Sequence, residues 1–76
     1  NKAARGDNSG AIEDLTEAIK MAKADYDAAP MYMERGRIYI DLFEPKKAVK
    51  DLTKAIEIVP TWGRAYHYRS KAYEAL

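Results

Sequence analysis

Few side chains in this sequence have the types and spacing that chemistry needs. There is one histidine, His67, and no cysteine. A histidine serves as general base only with an orienting partner, and as a metal ligand only beside further ligands. His67 stands between Tyr66 and Tyr68 with no second histidine, so it reads as an ordinary helix position. No nucleophile is paired with a base, no two carboxylates are set for acid–base work, and no glycine-rich phosphate loop is present. The chain is therefore expected not to be an enzyme and to need no cofactor and no metal. Lys46, Lys47, Lys50 and Lys54 form a basic run that suggests phosphate contact, but a net charge of +1 gives no long-range field. The run reads better as a solvated helix face, and neither nucleic acid nor an anionic membrane is an expected partner.

The elements that position these residues follow from apolar periodicity. With 76 residues the chain is at most one domain, and one this short buries only roughly 60% of its unfolded surface. No apolar run approaches the roughly 20 residues of a membrane span, and the start at Asn1 has no signal-peptide character. That start, without Met, suggests a cut-out fragment. The lack of cysteine leaves the compartment open, with a cytoplasmic setting favoured. Ala11, Ile12, Leu15, Ala18, Ile19 and Ala22 recur at helical spacing and predict an amphipathic helix to about Lys23, with Asp7 as its N-cap. Ala48, Val49, Leu52, Ala55, Ile56 and Val59 repeat the pattern, with Pro45 in the first turn and a stop before Pro60. Set against each other 37 residues apart, the two stretches also match Asp14 with Asp51 and Thr16 with Thr53.

Two further segments are related as well. Tyr32, Arg35, Tyr39 and Leu42 recur as Tyr66, Arg69, Tyr73 and Leu76, each pair 34 residues apart. Pro30 fits the first turn of one segment and Thr61 the N-cap of the other. Linkers around Phe43–Glu44 and Pro60–Thr61 are short enough to make consecutive helices antiparallel neighbours. Helices alternately related by sequence are the signature of a solenoid. The fold class expected is all-α: antiparallel helix-turn-helix units stacked as a short right-handed α–α superhelix.

A 34-residue period with these landmarks resembles the tetratricopeptide repeat. Residues 29–62 read as a full repeat, with Tyr32, Gly36, Tyr39, Ala48, Leu52, Ala55 and Pro60 at the family's signature positions. Residues 1–28 read as a partial repeat, in which Gly6 and Asp7 resemble the inter-helix turn, and 63–76 as the first helix of the next. The resemblance implies a scaffold that binds a peptide or partner protein in a concave groove lined by the first helix of each repeat. That assigns Met33, Glu34, Arg37, Ile40 and Asp41 to one wall and Arg64, His67, Tyr68, Lys71 and Glu74 to the other. Arg37, Arg64 and Lys71 with His67 would meet a carboxylate, and Tyr68 and Met33 would offer apolar contact. The family's chaperone-cofactor clamps grip acidic tails through Lys and Asn. Here Glu34 and Tyr68 stand where such a clamp wants Asn and Arg, which argues against that ligand. Trp62, between repeats, is expected to pack under the next helix, and is also the best single partner anchor.

Three departures from the family pattern stand out. Arg35 and Arg69 occupy positions that are often Leu, and with Asp51 and Asp14 on adjoining helices they predict structural ion pairs. Ser70 replaces the small residue seen at Gly36. Three extra residues near Ala24 to Asp27 predict that the first helix overruns by almost a turn. Glu13, Glu17 and Lys20 align with Lys50, Lys54 and Glu57, so stacked repeats would bring opposite charges together on the convex side. An alternative function is self-assembly, in which uncapped ends drive homo-oligomer formation or helix swapping.

Overall fold

The computed structural model describes residues 8–76, with side chains from Gly10 onward. Four helices follow one another: α1 (Asn8–Met21), α2 (Asp25–Asp41), α3 (Pro45–Ile58) and α4 (Gly63–Glu74). No strand occurs among the described residues. The predicted N-cap Asp7 and the Gly6–Asp7 turn lie outside them. The architecture is the all-α helical-repeat solenoid that the periodicity implies. α2 packs on α1 and most extensively on α3, α4 packs on α3 and more lightly on α2, and α1 approaches α2 alone.

The three extra residues go elsewhere than expected. α1 does not overrun; it stops at Met21, and the Ala22 amide turns back to the Ile19 carbonyl at 3.2 Å. Ala24 is extended, and α2 begins at Asp25 with Asp25 and Asp27 in its first turn. Carboxylates favour the positive end of a helix dipole and would be misplaced in the last turn of α1. The insertion therefore lengthens α2 at its N-terminus. As a result Pro30 lies inside α2 rather than in its first turn. At the start of α4 the cap position belongs to Trp62, whose carbonyl accepts from Ala65 and Tyr66; Thr61 is not the cap, and no side chain caps this helix. Pro45 does open α3.

Between α2 and α3 the chain turns on Phe43, whose φ is +60°. The Glu44 amide bonds to the Tyr39 carbonyl at 2.9 Å and the Phe43 amide to the Ile40 carbonyl at 3.0 Å. These paired bonds satisfy the last carbonyls of α2 and require a left-handed residue at Phe43, a place where glycine is usual.

The core is built from small residues that let helices come close. Ala48, Leu52, Ala55, Ala65 and Ala72 are fully buried, with Met33 and Ile56 beside them. Gly36 faces Leu52: a Cβ on it would lie 2.7 Å from Leu52 Cγ and 3.0 Å from Cδ2. Only hydrogen fits there, which is why α3 can seat so near α2. The convex charge pairing is not formed. No ion pair joins Glu13, Glu17 or Lys20 to α3, and Lys20 instead meets Glu17 at 3.8 Å. The physical reason is separation, since α1 and α3 do not touch.

Candidate functional site: the face between the first helices of successive repeats

The residues that hold this face in place converge on Arg35. Its Nε and Nη2 donate to the two oxygens of Asp51 at 2.7 and 2.8 Å, and Nη1 donates to Thr16 Oγ1 at 2.9 Å. The guanidinium also lies over the Tyr32 ring, 5.6 Å from its centre. One side chain on α2 therefore ties α1 to α3. Asp51 is nearly fully buried and Arg35 largely so. The guanidinium is held above its ordinary pKa, first by the bond to Asp51 and against the opposing effect of burial, so it stays charged wherever the fold is studied. The expected ion pair forms at Arg35.

Arg69 behaves differently. It lies over Tyr66 at 5.5 Å and Tyr73 at 5.9 Å and donates to Thr53 Oγ1 at 3.2 Å, yet it has no carboxylate partner among the described residues. Asp14 pairs with neither arginine and is exposed. Thr16 and Thr53 accept from the two arginines in the same way, a role that sequence reasoning missed. Their shared position in the two aligned helices was the available signal.

Of the positions that the resemblance assigns to the groove, Glu34, Arg37, Ile40 and Tyr68 are partly buried, and Asp41, Arg64, His67, Lys71 and Glu74 are exposed. Met33 is not on this surface. It is 7% exposed and belongs to the central core cluster, since α2 packs against two helices at once and that position turns inward. Arg37 is not a free cation: it pairs with Glu34 one turn before it and with Asp41 one turn after it, the latter at 3.6 Å. Its pKa is raised, first by the hydrogen bond to Glu34, then by the charges of Glu34 and Asp41, with a smaller contribution from Tyr68. Arg64 and Lys71 are exposed and have no ion partner among the described residues.

Ile40 and Tyr68 are half-buried against the core and give the face an apolar strip. His67 is exposed, its ring 5.7 Å from that of Tyr68 and tilted by 58°. No group of three or more His, Cys, Asp or Glu residues suited to a metal occurs among the described residues. Trp62 packs against the core cluster, and its remaining surface, with Tyr26, Pro30 and Val59, lines an apolar cleft of about 300 Å³. No helix among the described residues is long and apolar enough to cross a membrane.

Comparison with known proteins places this geometry. The family model of the tetratricopeptide repeat matches residues 29–61. The chain is 31% identical over 67 residues to the heat shock protein sti1 homolog of Schizosaccharomyces pombe. It is 34% identical over 68 residues to the mitochondrial import receptor subunit TOM70 of Homo sapiens. It is 36% identical over 67 residues to a FAM10 family protein of Arabidopsis thaliana. These matches cover 87% to 88% of the chain but 11% to 14% of the relatives, so the chain spans only a small part of their length. No solved structure gives a significant match. With a matched repeat, relatives over most of its length and the Gly36–Leu52 contact that close helix pairing needs, the chain belongs to the tetratricopeptide-repeat family of protein-interaction modules.

Proposed function

We propose that the face between α2 and α4 binds a peptide carrying an apolar side chain next to an acidic group. The observation that carries this reading is the uneven charge of the two walls. On α2, Arg37 is neutralised by Glu34 and Asp41, whereas Arg64 and Lys71 on α4 are left exposed with no ion partner among the described residues. An acidic group is therefore drawn to the α4 side, and the strip of Ile40 and Tyr68 receives an apolar neighbour. Kinship with a protein named as an import receptor subunit supports a role in protein recognition.

The test is selection from a display library of short random peptides, followed by calorimetry on the enriched sequences. Enriched peptides should pair an acidic with an apolar residue, and R64A/K71A should weaken them about tenfold, equivalent to about 1.4 kcal/mol. Enrichment of basic peptides, or binding indifferent to R64A/K71A, would refute the reading.

A further inference from the structure

We propose that the cleft lined by Tyr26, Pro30 and Trp62 is a second pocket for the same peptide, taking one large aliphatic or aromatic side chain roughly three to five residues from the apolar side chain held at Ile40 and Tyr68. This rests on the peptide-binding reading above and adds to it a second anchor and a spacing.

The pocket comes from the three extra residues. α4 begins at Gly63, the equivalent of Ala29 in the 34-residue period, whereas α2 begins at Asp25. The added turn carries Tyr26, which lines the cleft with Ala29 and Pro30 of α2 and with Val59 and Trp62 from the link between α3 and α4. Begun where α4 begins, α2 would leave out one wall. The volume of about 300 Å³ is room for a single large side chain, at the small end of ligand pockets. Tyr26 is 70% exposed, so its ring is available to a ligand. The other walls are already fixed, since Pro30 sits inside α2 and Trp62 backs onto the core cluster. A pocket that needs little ordering loses little entropy on binding.

The cleft continues the face between α2 and α4. Tyr26, Pro30, Arg37 and Ile40 stand four, seven and three residues apart, spacings that keep them on one side of a helix. On the other wall Trp62 immediately precedes α4 and Tyr68 lies in its second turn, both packed against the core cluster. Pro30 and Ile40 are ten residues apart, roughly 15 Å of helix, and Trp62 and Tyr68 are six residues apart, roughly 9 Å. An extended peptide covers such a span with roughly three to five residues.

Charge sets which end of the ligand enters the cleft. Asp25 and Asp27 flank Tyr26, are exposed and have no ion partner among the described residues. With Lys23 counted, residues 23–27 carry one positive and two negative charges, a net charge of −1. An acidic residue beside the second anchor is therefore repelled, and the acidic group of the ligand belongs with the first.

Trp62 is the single tryptophan of the chain, so the cleft reports its own occupancy by fluorescence. The probes are synthetic peptides in a glycine–serine background, blocked at both ends and free of aromatic residues. One carries an adjacent glutamate and leucine; the others add a second leucine one or four residues from the first, on either side. At four residues, on one side, the second leucine should tighten binding about tenfold by calorimetry and shift Trp62 emission to the blue. At one residue it should do neither, and the single-leucine peptide should leave the emission unchanged. Y26A, checked for helicity by circular dichroism, should lose both effects of the second leucine yet bind the single-leucine peptide as the wild type does. A second leucine that adds nothing at four residues, or adds as much at one residue or in Y26A, would overturn the second pocket and leave the peptide-binding reading standing. Absence of binding by every peptide would overturn both.

Discussion

Removing Arg35 should cost more than removing Arg69, although the two stand at the same place in the repeat. In R35L the carboxylate of Asp51, 6% exposed, loses both of its bonds and keeps no cation. Stripping one partner from a buried pair costs about 3–5 kcal/mol. The low end applies because the Arg35 side chain is 17% exposed and water can reach part of the site. Leucine recovers about 1 kcal/mol through apolar burial, leaving a net loss of about 2 kcal/mol. D51N keeps one acceptor for the guanidinium but removes the charge, and should cost about 1–2 kcal/mol. With both partners made apolar in R35L/D51A, neither charge is stranded, so the double change should cost less than the sum of R35L and D51A by more than about 1 kcal/mol. R69L removes a 3.2 Å bond to Thr53 and two ring contacts at a more open site, worth less than about 1 kcal/mol. Total stability for a chain of this size is about 4–11 kcal/mol, so R35L should lower Tm by about 8–16 °C. Urea unfolding followed by circular dichroism at low chain concentration, where association does not contribute, measures the five variants against the wild type. An R35L protein as stable as wild type, or an additive cycle, would refute the clamp.

Two further substitutions probe the backbone. G36A should destabilise by about 1–3 kcal/mol despite alanine's better helix propensity, because the new methyl meets fully buried Leu52 at 2.7 Å with no room to yield; S70A, at the matching place on the open α4 face, should be neutral or slightly stabilising in the same denaturation assay. F43G should raise stability by up to about 1 kcal/mol, since Phe43 is 88% exposed and held at φ +60°, where glycine carries no steric penalty. A lower Tm for F43G would mean that the exposed ring contributes more than its contacts indicate.

What the sequence made legible was the part fixed by local pattern. Ala48, Leu52 and Ala55 at helical spacing, Pro45 ahead of them and Pro60 behind them are enough to place α3, and the Arg35–Asp51 pair follows from residue types on adjoining helices. The insertion was harder because two outcomes share one composition. Ala24 to Asp27 suit either a longer α1 or an earlier α2, and the choice turns on Asp25 and Asp27 preferring a helix start. The ion partners of the residues assigned to the groove were harder to see. The spacing itself carries the signal at Arg37, since Glu34 and Asp41 lie three residues before it and four after it, spacings at which helix side chains meet. Met33 required knowledge of how many helices crowd α2.

The two arginines show why local sequence stops short of function in a repeat. Tyr32 with Arg35 and Tyr66 with Arg69 are the same signature, and each guanidinium finds a ring beneath it and a threonine on the preceding helix. Their surroundings differ in one partner: Arg35 reaches a carboxylate in α3, whereas Arg69 has no carboxylate partner among the described residues. In a solenoid, energy resides in interfaces between nearest neighbours, so identical residues take different partners according to the helix packed against them. Arg69 is therefore informative through its difference from Arg35: Thr53 and the rings of Tyr66 and Tyr73 hold it without a buried carboxylate, so the same signature carries less energy there.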